Sequence, residues 1–389
     1  MRSKFELADI VAAFEAKLLQ TTSLNVIQTK AFRNIKQCRT AVLGGHEEAC
    51  DSCGVIRYSY NSCGDRHCPK CQASKQAFWI DDLVRSTLPV KHYHVIFTVP
   101  HELNRLCLHN DRWFYDSLFK AVWETLRTFG YTHFGAESGA ICVLHTWGQN
   151  LTLHPHVHCI VPAAGYSLLG KWVEMGGDGN FLYPVKQLSQ TFRGKLMESL
   201  KADLKKQGTF SGFYADYQKA WQKKWVVHCE PSLANADHVV KYLGQYTHRV
   251  AISNNRILKV DKEQVTFIAK DYRDGAQKKS VTLKGEEFLR RFAQHVLPYR
   301  FVKIRRYGIY NHTLKRRLEL CFTPATKVKE VAKEAPKVKE SNAERFTRLT
   351  GVDRCKCSVC KVGNMQIIRA LPRIRSPTIA PYLVLDNSL

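Results

Sequence analysis

The sequence predicts a mixed α+β fold in which a helical, cysteine-rich segment precedes a region of strands and helices. Three observations support this prediction. Residues 140–161 have the alternating pattern of a β-hairpin, while residues 112–129 and 186–206 repeat apolar side chains at helical spacing. Two cysteine pairs lie between residues 50 and 71, ahead of both patterns.

Length and charge restrict the function. The 389 residues suffice for two or three domains, and 44% of them are hydrophobic. Lys and Arg number 59 against 34 Asp and Glu, which gives a formal net charge of +25. An excess of this size indicates a polyanionic partner, most simply nucleic acid. A basic surface that only faces solvent, or one that lies on a membrane, remains the alternative.

The N-terminal residues and the number of cysteines indicate the cellular compartment of the protein. No run of 18 apolar residues occurs, and no apolar signal region follows Met1–Glu6, so we expect neither a membrane span nor a leader. Fourteen cysteines in such a chain favour metal ligation in a reducing cytoplasm over disulfides.

Two amphipathic helices open the chain. Apolar residues recur at helical spacing over residues 4–20, and Ser23 could cap a second helix that ends near Lys36. Neither helix carries side chains that suggest chemistry, so we expect both to be structural.

The cysteine spacing predicts a zinc site. Cys50-x-x-Cys53 and Cys68-x-x-Cys71 supply four thiolates, which satisfy a tetrahedral zinc ion. Four more candidate ligands lie before and between these pairs, at Cys38, His46, Cys63 and His67. They could form a second zinc site, or Cys63 and His67 could pack or face DNA instead.

The hairpin carries a pair of histidines. His156 and His158 flank Val157 in a strand, so their side chains lie on the same face. Two adjacent imidazoles could hold a divalent metal ion, or they could be hydrogen-bonded histidines of the core. His92-Tyr93-His94, before another apolar run, is a rival with the same spacing.

Other segments have the apolar spacing of either a helix or a strand. Further helical patterns cover 73–88, 101–108, 213–224, 237–249 and 286–297. Further strand patterns cover 94–99, 225–229 and 300–306, with two short strands within 251–273 and a loop at 165–180.

Tyr242 and Tyr246 lie four residues apart in the predicted helix 237–249 and therefore share one of its faces. A pair of core aromatics is the alternative interpretation of this spacing.

A basic stretch follows the last of these helices. Aromatic side chains flank its cations, as suits a phosphate backbone and stacked bases, and an exposed edge strand is the alternative. The candidate DNA-binding residues are Arg300, Lys303, Arg305 and Arg306.

The C-terminal part looks like a tail. Lys and Glu alternate over residues 327–345, which predicts a linker. Cys355, Cys357 and Cys360 then form an incomplete zinc set, with Cys321 as a candidate fourth ligand. We place the three parts of the chain at 1–90, 91–320 and 321–389.

The order of these motifs resembles that of the HUH endonucleases, named for histidine-hydrophobic-histidine. More narrowly, the chain resembles the two-tyrosine transposases of rolling-circle insertion sequences, the IS-ninety-one-like family, over residues 38–310. The matching stretches are the cysteine knuckle to Cys71, Leu144–Leu151, His154–Val161 and Tyr242–Arg249. In this order His92 and His94 belong to the first motif, which leaves His156 and His158 as the metal pair.

The resemblance implies a fold and a reaction. It implies an HUH-endonuclease-like antiparallel sheet flanked by helices in 91–320, preceded by the helical and zinc-binding domain. Tyr242 and Tyr246 would attack single-stranded DNA at the element ends and target site, giving 5′-phosphotyrosine intermediates. Mg²⁺ or Mn²⁺ would assist at the histidines, and Zn²⁺ would be structural. The candidates for a third ligand of the catalytic metal are Gln245, His248, His145 and Gln149.

Alternatives remain at this level. A rolling-circle replication initiator or relaxase would use the same chemistry, and a non-catalytic zinc-containing DNA-binding protein would explain the charge and cysteines alone. Gly165 to Lys171 matches part of a phosphate-binding loop, but Trp172 replaces the required Ser or Thr, so we take the match as chance. The resemblance predicts a bacterial, nucleoid-associated protein and leaves open whether it forms a homo-oligomer.

Overall fold

The structure, a computed structural model, describes most of the chain. The described residues are 4–86, 88, 90–176, 182–230, 250–271, 275, 277–311 and 340–374. The predicted tyrosine helix 237–249 and Cys321 lie outside them.

Helices α1–α9 of the described residues are, in order, Leu7–Leu19, Val26–Gln37, Pro69–Ser86, Asn104–His109, Asp111–Phe134, Val185–Lys206, Phe210–Gln222, Gly285–Ala293 and Asn342–Thr350. The first seven strands, β1–β7, are Gly45–Cys50, Ile56–Tyr60, His92–Thr98, Ala136–Glu137, Gly139–Trp147, Leu153–Pro162 and Ala164–Ser167. Strands β8–β14 are Trp172–Glu174, Val226–Glu230, Ile257–Val260, Gln264–Asp271, Gln277–Lys284, Ile304–Gly308 and Met365–Leu371. This mixture of helices and antiparallel sheets confirms the α+β prediction.

A five-stranded sheet forms the centre of the molecule. Its strand order is β13-β5-β6-β3-β9, and every neighbouring pair is antiparallel. The predicted hairpin is present as β5 and β6, and β3 lies on the other side of β6. Because side chains alternate along each strand, the sheet has two faces of different composition.

One face of the central sheet is apolar and covered by helices. Tyr93, Val95 and Phe97 of β3 and Val157 and Cys159 of β6 point into this core. Residues of α5, α6 and α7 belong to the same buried cluster and exclude water from it. Burying these side chains contributes about 1.5–3 kcal/mol for each large one, which keeps the register of the sheet unique.

The other face carries the histidines. His94 of β3, His156 and His158 of β6 and His145 of β5 share this face, as the strand register shows. At one end of the same face, Leu83 of α3 packs with Ile141 and Ile160 of the sheet. Helix α3 therefore covers part of the histidine face, opposite the face that α5, α6 and α7 cover.

A second core joins the two N-terminal helices to residues 251–296. Phe14 of α1 and Phe32 of α2 pack with Phe288 and Phe292 of α8 and with Phe267 of β11. The N-terminal helices therefore share their core with the three-stranded sheet β10-β11-β12. This contact was not visible in the sequence, because it joins residues more than 200 positions apart.

Several local predictions were wrong. Helix α2 is capped by Asn25, whose side-chain oxygen accepts from the amides of Ile27 and Gln28, and not by Ser23. The strand predicted at 300–306 begins only at Ile304, because Arg300 adopts a left-handed φ of 56° and the chain turns there.

The stretch 165–180 is not all loop. Strands β7 and β8 form a hairpin whose turn includes Gly170, at a φ of 71°. The amide of Ser167 donates to the carbonyl of Lys171 across this turn. The partial phosphate-loop pattern is therefore a hairpin turn and leads into a strand, not a helix.

Candidate functional site

Three histidines meet on the polar face of the central sheet. His145 of β5 lies directly opposite His156 of β6, and His158 follows two residues later on the same face. The ring nitrogens that could bind a metal all lie within 4.8 Å of one another in this trio. The ring centroids are 4.6 Å apart for His145 and His158 and 4.9 Å apart for His156 and His158.

Hydrogen bonds orient two of the rings. Nδ1 of His156 lies 2.7 Å from the carbonyl oxygen of His154 and donates to it, which leaves Nε2 as the ligand atom. Nδ1 of His158 lies 2.9 Å from Nε2 of His94. Metal-binding histidines usually hold their second nitrogen in such a contact, so we assign His94 as the acceptor.

The surroundings exclude water from the trio and keep His156 neutral. His145 and His158 are 3% and 5% exposed. Desolvation is the largest influence on His156 and lowers its pKa to about 4, so the ring is uncharged at neutral pH. A neutral imidazole keeps the lone pair that a metal ion needs, and the donor set therefore fits a divalent cation.

The structure distinguishes among the candidates for a third ligand. His145 joins the predicted pair directly. The side chain of Gln149 lines a neighbouring cavity, while its carbonyl accepts a hydrogen bond from Arg256. Gln245, His248, Tyr242 and Tyr246 lie outside the described residues.

A cavity of about 370 Å³ opens beside the trio. Trp147 forms part of its wall, and the Trp147 ring stacks on His145 with centroids 4.8 Å apart. Lys270 and Lys278 line the same cavity, so its wall combines an aromatic surface with positive charge. Such a wall suits a base and a phosphate of single-stranded nucleic acid.

The cysteines group differently from the sequence prediction. Cys68 and Cys71 lie with Cys38 and Cys63, and we call these four the N-terminal cluster. Cys50 and Cys53 lie with two residues of the C-terminal segment, and the bridging cluster is Cys50, Cys53, Cys357 and Cys360. The proposed set of Cys50, Cys53, Cys68 and Cys71 was wrong, because the two pairs lie in separate clusters.

The two histidines proposed for a second zinc site are not part of either cluster. Both ring nitrogens of His67 are engaged, Nδ1 with Asp65 at 3.0 Å and Nε2 as acceptor from the amide of Leu297 at 3.1 Å. His46 lies in β1 and does not belong to either group of candidate ligands. Cys38 and Cys63 remain as ligand candidates, now together with Cys68 and Cys71.

The thiol spacing suits tetrahedral zinc. Zn–S bonds of about 2.3 Å place the sulfur atoms roughly 3.8 Å apart in a tetrahedron. In the N-terminal cluster Sγ of Cys71 is 3.5 Å from Sγ of Cys38 and 3.6 Å from Sγ of Cys63. Hydrogen bonds among the four thiols lower the pKa of Cys38 and Cys71 and raise the pKa of Cys63 and Cys68, because the four groups share their protons.

Comparisons with known proteins identify the family of the chain. Residues 10–99 match the family model described as a transposase zinc-binding domain, and residues 139–317 match the model described as a putative transposase. The putative transposase y4qJ of Sinorhizobium fredii is 40% identical over 97% of this chain and 98% of its own length. The chain is a transposase of the IS91 family.

A second relative is more distant. The transposase for insertion sequence element IS801 of Pseudomonas savastanoi pv. phaseolicola is 27% identical over 89% of this chain and 84% of its own length. No solved structure matches the chain significantly. Among its described helices, the transposase has none that combines the length and the apolar character of a membrane span.

The predicted DNA-binding stretch of the transposase divides into two kinds of cation. Arg300 and Arg306 are exposed, and the guanidinium of Arg300 lies 5.2 Å from the ring centroid of Tyr299. Arg305 instead pairs with Asp116 and packs 4.2 Å from the centre of Phe119, which is the role of a structural arginine. Burial, together with the nearby charge of Arg66, lowers the pKa of Lys303 to about 8.

Two functional features of the transposase were missed or left open. Cys357-x-x-Cys360 repeats the spacing of the two earlier pairs, which was a signal that it is a metal-binding pair but not of which pair it joins. His145 was one of four open candidates. The signal that favoured it was its position in a hairpin, opposite the histidine strand.

Proposed function

We propose that this transposase nicks and rejoins single-stranded DNA at the ends of its insertion sequence, in a rolling-circle type of transposition. Tyr242 and Tyr246 are the proposed nucleophiles, and the products of cleavage are 5′-phosphotyrosine esters. The observation that supports the proposal most directly is the convergence of His145, His156 and His158 on one face of an antiparallel sheet.

The histidine trio would hold the catalytic divalent ion. Its three ring nitrogens would bind the ion, and they would favour Mn²⁺ over Mg²⁺ because imidazole is the softer ligand. Bound there, the ion supplies Lewis acidity to a non-bridging phosphate oxygen. His94 and the His154 carbonyl orient the rings that hold it.

The chain on either side of the tyrosines supports their assignment. Strand β9, which ends just before residues 231–249, pairs with β3 at the edge of the central sheet. Val250, the first described residue after them, lines the cavity that Trp147 shares. One flank of the tyrosine segment therefore pairs with the strand of His94, and the other lines the cavity whose wall includes Trp147.

The proposed reaction conserves the phosphodiester bond energy. The tyrosine oxygen forms a bond to phosphorus while the bond to the 3′ oxygen breaks, and the 3′ oxygen takes up a proton as a free hydroxyl. Rejoining reverses the step with a 3′ hydroxyl of another strand. Two tyrosines allow the second strand to be cut while the first ester persists.

Adduct formation tests the proposal. The protein should be incubated with single-stranded oligonucleotides from the ends of its element and Mn²⁺, then separated on a denaturing gel. We expect a covalent protein–DNA adduct with the parent and with each single variant, Tyr242→Phe or Tyr246→Phe. The double variant should form none, and each single variant should lose transposition in cells.

Tyr214→Phe is the matched control, since Tyr214 is 52% exposed on α7. It should behave like the parent in both assays. An adduct that persists in the double variant would refute the assignment of the nucleophiles. Failure of the parent to form an adduct with any divalent metal would refute the covalent mechanism as a whole.

A further inference from the structure

We propose that the bridging cluster is a second zinc site, which fastens the C-terminal segment 340–374 to the N-terminal zinc-binding domain. Its ligands are Cys50 and Cys53 from the turn after β1 and Cys357 and Cys360 from the turn before β14. The site does not depend on the proposed catalytic mechanism. It lies outside the segment 139–317 that matches the putative-transposase family, and half of its ligands lie outside 10–99.

The sulfur geometry supports a metal ion and not disulfides. Sγ of Cys50 is 3.7 Å from Sγ of Cys360, and Sγ of Cys53 is 3.8 Å from Sγ of Cys357. These separations match the roughly 3.8 Å expected between thiolates around zinc. A disulfide would require about 2.05 Å. Four soft thiolates in one group favour zinc over magnesium or calcium.

Both turns have backbone amides directed at the sulfur atoms. The amides of Ser52 and Cys53 lie 3.4 and 3.5 Å from Sγ of Cys50. In the C-terminal turn, the amide of Val359 lies 3.4 Å from Sγ of Cys357, and the amide of Gly363 lies 3.4 Å from Sγ of Cys360. Amides in this position stabilise negative sulfur, so both turns are built to hold thiolates.

Gly363 allows the two turns to approach. A Cβ atom at this position would come within 2.6 Å of both Sγ of Cys50 and Oδ1 of Asp51. Two hydrogen bonds then join Asp51 and Asn364. The Asp51 amide donates to the Asn364 carbonyl at 3.0 Å, and the Asn364 amide donates to the Asp51 carboxylate at 2.8 Å. A residue with a side chain at position 363 would separate the cysteine pairs.

The strands that follow extend this contact. Strand β14 pairs with β1 from Cys50 and Met365 to Gly45 and Leu371, in the sheet order β14-β1-β2. Arg369 forms an ion pair with Glu47 at 2.6 Å across this pair of strands. The result is a three-stranded sheet whose strands come from distant parts of the chain, with the thiol cluster where β1 ends and β14 begins.

A second contact holds the same segment to helix α3. Arg345 of α9 pairs with Asp81 of α3 at 2.8 Å, and Phe346 packs edge-on against Phe78 with centroids 6.5 Å apart. Helix α3 in turn packs on the histidine face of the central sheet through Leu83. Zinc at the bridging cluster would therefore stabilise the position of α9 on the helix that covers this face.

Metal content tests the inference directly. The intact protein, purified without chelator, should be analysed for metals by plasma mass spectrometry, and we expect two zinc ions per chain, one for each cluster. The double variant Cys357→Ser with Cys360→Ser should retain one. Cys355→Ser, which changes an exposed cysteine outside both clusters, is the matched control and should retain two.

Alkylation of the unmodified chain provides a test that needs no variant. Cys355 should react with iodoacetamide at once, whereas Cys50, Cys53, Cys357 and Cys360 should be protected and become reactive together when a chelator is added. In the double variant, Cys50 and Cys53 should lose their protection while Cys68 and Cys71 keep theirs.

Three results would overturn the inference. The first is an unchanged zinc content in the double variant. The second is continued protection of Cys50 and Cys53 when Cys357 and Cys360 are replaced. The third is iron in place of zinc in the parent protein.

Discussion

At the scale of single residues, the position of ring nitrogens decides what the histidines can do. His156 uses Nδ1 for the carbonyl of His154, and His158 uses Nδ1 for His94, so both direct Nε2 towards the same space. His94 does not belong to the ligand trio. We propose that it acts through His158, as a positioning residue that fixes the tautomer and the direction of the ring.

The first prediction at this scale concerns that positioning. His94→Gln should lower the affinity for Mn²⁺ by about 10- to 100-fold, the usual cost of losing a partner behind a metal ligand. His145→Ala should lower it further, because one of the three ligand nitrogens is removed. Electron paramagnetic resonance of free Mn²⁺ measures both affinities without reference to cleavage.

His101→Gln serves as the control, because the side chain of His101 is 79% exposed and lies outside the trio. Its Mn²⁺ affinity should equal that of the parent. If His94→Gln also binds Mn²⁺ like the parent, His94 is a packing residue and does not position His158.

At the scale of elements, caps and close contacts determine how the N-terminal helices attach. The side-chain oxygen of Asn25 accepts from the backbone amides of Ile27 and Gln28. The backbone amide of Asn25 donates to the side-chain oxygen of Gln28, which completes a capping box. The Gln28 amide group also donates to the carbonyl of Ala293 at 2.9 Å. The start of α2 is therefore tied to the end of α8 across the second core.

The cap gives an element-scale prediction. Asn25→Ala should lower the free energy of unfolding by about 1 kcal/mol, because two amides of the first turn lose their acceptor. Ser23→Ala should change it by less than about 0.5 kcal/mol, since Ser23 is exposed and does not cap the helix.

Urea unfolding followed by circular dichroism measures both variants. The comparison is sharp because the two positions are two residues apart and both substitutions remove a short polar side chain. Equal effects of the two substitutions would show that the cap contributes no measurable stability.

At the scale of the whole molecule, the net charge of +25 determines how the protein meets DNA. Cations already paired within the fold, such as Arg305 with Asp116, are neutralised locally. Exposed cations such as Arg300 and Arg306 remain available to phosphates. Binding of single-stranded DNA should therefore depend strongly on salt, through the release of counterions.

Salt dependence gives the whole-molecule prediction. Each phosphate contact contributes roughly 0.7 to the slope of log affinity against log salt concentration for single strands. The double variant Arg300→Ala with Arg306→Ala should reduce the slope by up to about 1.4 if each arginine contacts one phosphate. Fluorescence anisotropy of a labelled single strand measures the slope.

Arg127→Ala is a suitable control, because Arg127 is exposed and pairs with Glu137 at 3.0 Å. It removes one charge but should leave the slope unchanged. A slope that falls equally in both proteins would mean that general charge, and not this stretch, governs binding.

The sequence by itself determined the features that depend on local spacing. The period of two placed His156 and His158 on one strand face, and apolar repeats located α5, α6 and α7 within a few residues. The position of the tyrosines relative to the metal ligands stays a prediction, since they lie outside the described residues.

Tertiary structure alone decided which residues act together over long distances. All three Cys-x-x-Cys pairs have the same spacing, so nothing local says that Cys50 and Cys53 join Cys357 and Cys360 while Cys68 and Cys71 join Cys38 and Cys63. That choice depends on which turns come within the few ångströms that a metal spans. The pairing of β1 with β14 brings residues more than 300 positions apart to that distance.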